Sequence, residues 1–195
     1  MGAPTFDLNF EISAPTQTYG PSCRYGAVLF IEKEGFQALL NAANIAQRYD
    51  LAIMSTKGMS VTACRSLVEK LAQENIAIFC LHDFDKSGFS ILKTLGNNTN
   101  RYQFTTKPNI IDFGIRLGDI NHWQLQSEPV IYSGKKDPRE NLRKSGATDE
   151  EIDFLIKGQD HDGEWYGDRV EINALSSGDL IELIESKLEA MGLVK

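Results

Sequence analysis

Two apolar runs, each closed by carboxylates, constrain this chain more than any other feature. Ala27–Ile31 contains no polar residue and leads directly into Glu32; the run 76–81 is likewise apolar and leads into His82, Asp83, Phe84 and Asp85. Continuous apolar runs of this length read as strands buried on both faces, as in a parallel sheet covered by helices. If these two strands are neighbours, Glu32, Asp83 and Asp85 meet at one edge of the sheet, where such folds place their ligands. Three oxygen donors without sulfur or imidazole suit a hard divalent cation such as magnesium, which points to metal-dependent phosphate chemistry.

The rest of the first half supports that sheet. Phe36, Leu39, Leu40 and Ala43 recur at helical spacing, which predicts an amphipathic helix over 35–48. Leu51–Met54 reads as a second strand, and Ser60 as the cap of a helix burying Val61, Cys64, Leu67, Val68 and Leu71. A short helix over Ser87–Leu95, closed by Gly96, follows the third strand. Strand and helix alternating with short connections means a parallel sheet with right-handed crossovers, extended by the segments 102–104 and 110–115.

After Trp123 the pattern changes. Asp137-Pro138-Arg139-Glu140 is a helix start, and Thr148-Asp149-Glu150-Glu151 is a capping box opening a second helix after Gly146. Residues 158–169 read as a polar loop, and a terminal helix from about Asp179 turns Leu180, Ile184, Leu188 and Met191 inward. The expected organisation is a linker or arm over 1–25 and one domain over 26–195. That domain divides into a core over 26–120, a helical insertion over about 137–157 and a C-terminal element over 169–195.

Composition sets the setting. The net charge of −7 argues against coating nucleic acid with a basic surface, but the charge is uneven. Residues 149–195 carry 13 acidic and 4 basic side chains, leaving 14 acidic and 16 basic in the first 148 residues, so a local site there stays open. No apolar stretch is long enough to span a membrane, and no signal peptide is visible. Cys23, Cys64 and Cys80 have no zinc spacing and read as free thiols of a reducing, cytoplasmic setting.

Each motif has a plain reading beside the chemical one. Glu32 either reaches water at a helix start or holds a cation, because a desolvated lone carboxylate costs several kcal/mol. Lys33 and Glu34 read as surface residues. Asp83 and Asp85, two apart in an extended segment, project to one side and repel unless a cation or proton joins them. An EF-hand reading fails, since the twelfth position is Thr94 and the flank is a strand. A haloacid-dehalogenase-like phosphatase would carry its Asp motif on the first strand, not the third; an ordinary Asp-rich turn is the remaining reading. Lys57 could meet a phosphate or pair with Glu32 or Asp83, and Gly58 permits a left-handed turn, yet no Walker loop is present. His82 reads as a packed core histidine before a ligand, and His161 as solvated.

Order and spacing together resemble the TOPRIM domain of topoisomerases, primases and OLD-family nucleases, and most of all that of topoisomerase VI A subunits and the related meiotic double-strand-break protein. The residues that carry the likeness are Glu32-Lys33-Glu34, Thr56-Lys57-Gly58, Asp83-Phe84-Asp85 with Gly88, and Val170-Glu171-Ile172-Asn173-Ala174-Leu175. The resemblance implies a three-layer, Rossmann-like α/β fold with a helical hairpin and a terminal helix. It implies Glu32, Asp83 and Asp85 as catalytic and metal-holding residues for Mg2+, with Mn2+ able to substitute, and Lys57 and Gly58 as nucleic-acid contacts. Glu32 would serve as ligand or as the proton-transfer group at the leaving oxygen. The implied reaction is phosphodiester cleavage or transfer on DNA, as a nuclease or topoisomerase-like protein. The DNA-cleaving tyrosine of the topoisomerases lies on a winged-helix domain; here only about 25 linker-like residues precede the motif, so a further domain or subunit would supply it. The rival reading is a non-catalytic interaction module with a vestigial acidic edge.

Overall fold

A computed structural model of the chain describes residues 26–55, 61–98 and 102–193. Four parallel strands form the central sheet: β1 (Ala27–Ile31), β2 (Leu51–Ser55), β3 (Ala77–Leu81) and β4 (Ile110–Asp112), in the order β2-β1-β3-β4. All five residues of β1 are buried, as an unbroken apolar run requires. Alternate side chains serve opposite faces. Ala27, Leu29 and Ile31, with Phe79 and Leu81 of β3, pack in one core with Leu40 of α1 (Gln37–Ala42), Ile45 of α2 (Ile45–Arg48) and Leu180, Ile184 and Leu188 of α8 (Ser177–Ala190). Val28, Phe30 and Ile78 face the other way, onto Val68 of α3 (Val61–Gln73), while Cys80 packs with Cys64 of α3 and with Leu95 of α4 (Lys86–Gly96). This is a three-layer α/β fold. Each fully buried Leu, Ile or Phe contributes about 1.5–3 kcal/mol, so the sheet is held by the same run that announces it in sequence.

The expected single helix over 35–48 is two helices, because Asn44 takes a left-handed conformation (φ 53°) that ends α1 and opens α2. Residues 102–104 add no strand to the sheet; Tyr102 instead donates from Oη to Glu69 of α3 at 2.7 Å. After α5 (Leu117–Trp123) come β5 (Glu128–Tyr132), α6 (Arg139–Lys144) and α7 (Asp149–Leu155), whose Thr148 and Glu151 form the expected capping box.

Residues 158–169 are not a loop. β6 (Gly158–Gln159) and β7 (Trp165–Arg169) form a hairpin, and β5 joins it to make an antiparallel sheet of order β5-β7-β6. The strands escape a pattern search because Glu128 and Pro129 of the edge strand β5, and Asp168 and Arg169 at the end of β7, replace apolar positions. Cys64 and Cys80 are free and buried, and Cys23 lies outside the described residues. Among the described residues, no helix is long and apolar enough to cross a membrane.

Candidate metal centre

The sheet order puts the functional edge in one place. From β1 the chain runs outward to β2, then returns past β1 to β3, so the direction of winding reverses between β1 and β3. That reversal opens a crevice at the carboxyl ends of the strands. Glu32 leaves β1 there, and its backbone N–H donates to the Leu81 carbonyl at 3.1 Å, continuing the β1–β3 ladder by one residue. Asp83 and Asp85 leave β3 on the other lip of the same crevice.

Phe84 shapes the loop between the two aspartates. Its ring is fully buried, edge-on to Phe89 (5.6 Å) and Phe154 (5.5 Å). Its backbone exchanges two hydrogen bonds with Val170, at 2.8 and 3.0 Å, which ties the loop to the segment after β7. Asp85 is the N-cap of α4, its Oδ1 accepting the Gly88 N–H at 2.6 Å. Asp83 is 9% exposed, and its Oδ1 accepts the Ile172 N–H at 2.7 Å.

The carboxylates act on one another. Burial, then the charges of Asp85 and Asp83, raise the pKa of Glu32, against the lowering effect of His82 and of the Asp83 N–H that its carboxylate accepts. Glu32 Oε2 is buried and has no hydrogen-bond partner among the described residues. Asp83 is raised chiefly by burial and also by Asp85 and Glu171, while the Ile172 N–H and Lys33 pull the other way. The three predicted residues therefore share one edge and one field. They do not form a ligand shell: among the described residues, no three His, Cys, Asp or Glu side chains converge closely enough to hold a metal. Lys57 and Gly58 lie outside the described residues.

Sequence reasoning missed two contributors and read a third only as a packed core histidine. Lys33 is not simply a surface residue: its Nζ lies 2.5 Å from Glu171 Oε2 and 3.7 Å from Asp83 Oδ2. Glu171 is held on its other oxygen by Arg169, at 3.0 Å. The Glu-Lys-Glu and Val-Glu-Ile-Asn strings held both residues, but nothing in the sequence says that they touch. His82 is the third. Its fully buried ring sets Nδ1 2.8 Å from the Asp83 carbonyl and Nε2 3.0 Å from Asp112 Oδ1. Both partners are acceptors, so both bonds are made only when both ring nitrogens carry protons. Burial opposes that charge, but the bond and charge of Asp112 and the Asp83 carbonyl outweigh it, and the pKa is raised. The ring lies between Gly88 and Gly114, where added Cβ atoms would come within 2.6 Å and 2.2 Å of it. Behind it, Asp112 Oδ2 meets Arg116 at 2.7 Å, and Arg116 reaches Glu151 through two bonds of 2.8 and 2.6 Å.

An open parallel sheet with a lone Glu after its first strand and an Asp-x-Asp after its third, on the two lips of the crevice, defines a Rossmann-like domain of the Toprim class. The family model for the Toprim domain of the topoisomerase 6 A-type and Spo11 proteins matches residues 27–189, and the chain belongs to that family. No curated protein matches the chain. The family ties the domain to nucleic-acid cleavage, with DNA as the substrate its members imply, and Toprim domains generally bind magnesium. The residues present fit such an ion: the donors are all oxygens, and Glu32 Oε2 is a buried acceptor that nothing among the described residues satisfies.

Proposed function

We propose that Glu32, Asp83 and Asp85 hold a magnesium ion (with Mn2+ able to substitute) against a DNA phosphodiester, as the metal-binding half of a nuclease or topoisomerase-like site. The observation that carries this reading is the buried Oε2 of Glu32, unpartnered among the described residues and set in a field that two further carboxylates make more negative. A bound cation would supply the missing partner and offset the mutual repulsion of the three groups. Once bound, magnesium supplies charge neutralisation at the scissile phosphate.

The chain's own residues set the geometry. Asp83 and Asp85 are each held through one oxygen, by the Ile172 and Gly88 amides, which leaves the other oxygen of each to meet the ion. Glu32, whose pKa is raised, also suits proton transfer at the leaving oxygen. Lys57 and Gly58 are proposed as phosphate contacts. The attacking tyrosine would come from a winged-helix domain or subunit.

The test is titration calorimetry with MgCl2, followed by nicking of supercoiled plasmid. Wild type should bind magnesium, and Asp83→Asn and Asp85→Asn should not. Nicking, alone or with a partner that supplies the tyrosine, should disappear in Glu32→Gln. Equal magnesium affinity in wild type and both aspartate variants would remove the reading.

A further inference from the structure

We propose that Lys33 is a resident counter-cation of this centre, holding Asp83 and Glu171 together until a divalent cation displaces it, and that Glu171 is the centre's fourth carboxylate. The inference rests on the reading under Proposed function and extends it to two residues that reading does not use.

The carboxylates share one pattern of anchoring. Asp83 gives Oδ1 to the Ile172 amide and turns Oδ2 toward Lys33 Nζ, 3.7 Å away. Glu171 gives Oε1 to Arg169 at 3.0 Å and Oε2 to Lys33 at 2.5 Å. Glu32 accepts the Asp83 N–H and leaves Oε2 buried without a partner. In each case the protein grips one oxygen and presents the other. The grip on Asp83 and Glu171 does not depend on Lys33, so both stay oriented if the lysine leaves.

Lys33 is suited to leaving. Its side chain is 32% exposed, and its third contact, Asn173 Oδ1, is a long one at 3.4 Å. An ammonium is a compact point charge on a flexible stem, able to swing into water with its charge intact. It is also an incomplete substitute. It sits close to Glu171 and distant from Asp83, and Glu32 Oε2 still has no partner. A doubly charged ion with several oxygen ligands can meet these groups together.

Glu171 arrives by a rigid route. The Phe84–Val170 bridge fixes the residue before it, and the Asp83–Ile172 bond fixes the residue after it. The backbone carrying the fourth carboxylate is therefore pinned on both sides to the loop carrying the second and third.

The experiment is calorimetric titration of MgCl2 into the 195-residue chain at fixed ionic strength, comparing wild type with Lys33→Met, Lys33→Arg and Glu171→Gln. Melting curves in EDTA establish that each variant is folded. Removing the competing ammonium should lower the magnesium Kd about three- to tenfold, the scale of a part-exposed charge interaction. Lys33→Arg should stay near wild type, and Glu171→Gln should raise Kd by a similar factor. A lysine with a merely structural role would lower the melting temperature in Lys33→Met without tightening magnesium binding. Unchanged or weaker binding by Lys33→Met overturns the counter-cation, and unchanged binding by Glu171→Gln overturns the fourth carboxylate. Those failures leave the wild-type isotherm in place. Failure of the wider reading shows instead as a wild type, and all variants, that take up no magnesium.

Discussion

Asp83 Oδ1 accepts the backbone N–H of Ile172 at 2.7 Å, a bond that joins positions 89 residues apart and lies wholly inside the protein. A residue proposed to hold the metal is therefore also a structural tie between the β3 loop and the C-terminal segment. Asp83→Ala therefore disturbs the fold as well as the proposed site.

Asp83→Ala leaves a buried amide without an acceptor, at a cost of about 1–3 kcal/mol, whereas Asp83→Asn keeps an oxygen in place. For a chain of this size each kcal/mol lowers the melting temperature by about 2–4 °C. The Ala variant should thus melt several degrees below the Asn variant, while both lose magnesium binding. Coincident melting curves for the two would show that the Ile172 bond carries no stability.

Glu32 leads to the opposite sign. Its pKa is raised by burial and by Asp85 and Asp83, so holding it ionised costs stability once the pH is above its folded pKa. In EDTA at neutral pH, Glu32→Gln should melt above wild type. Added magnesium should narrow or reverse the gap, because only wild type gains a partner for Oε2. A Gln variant less stable than wild type in EDTA would contradict the strain assigned to this carboxylate.

The sequence carried the sheet and most of the site for a definite reason. β1 and β3 are buried on both faces, so their apolar runs leave no polar gap. The carboxylates sit directly at the strand ends, where chain order alone places them at the edge. Local hydrogen bonds mark α4 and α7, whose caps Asp85 and Thr148 lie within three residues of their partners. What stayed hidden depends on distance along the chain. Lys33 and Glu171 are 138 positions apart, and each alone reads as a solvated charge. The antiparallel sheet of β5, β7 and β6 carries Glu128 and Pro129 in an edge strand and Asp168 and Arg169 in the central one, so no apolar period announces it. His82 was visible as a buried histidine, but its second acceptor, Asp112, comes from β4.

Asp112 sets the response to acid. Burial would raise its pKa, but the bond and charge of His82, the Gly114 N–H and Arg116 hold it down to about 2, against 3.8 ordinarily. A depressed carboxylate contributes stability that is present above its unfolded pKa and is lost as pH falls through the folded value. Wild type should therefore lose about 2 kcal/mol from this group between about pH 4 and pH 2. Asp112→Asn should be less stable at neutral pH and show a flatter acid limb over the same window. Parallel melting-temperature profiles for the two proteins from about pH 5 to about pH 2 would show that the His82–Asp112 pair is not linked to stability.

The slot around His82 gives the sharpest steric prediction. A Cβ on Gly114 would lie 2.2 Å from His82 Cε1, a separation that cannot exist without movement, and the fully buried ring has no free space to enter. Gly88 blocks the other side, where a Cβ would meet the Asp83 carbonyl oxygen at 2.2 Å. Overpacking of this kind costs about 1–3 kcal/mol, and here it falls on the ring that holds the Asp83 carbonyl and Asp112 together. Gly114→Ala should lower the melting temperature and weaken magnesium binding although it touches no carboxylate of the centre. Shrinking the ring should relieve the clash, so His82→Ala combined with Gly114→Ala should be more stable than the sum of the single losses by about 1 kcal/mol or more. Strict additivity in that double-mutant cycle would mean that the glycine is not there to admit the histidine.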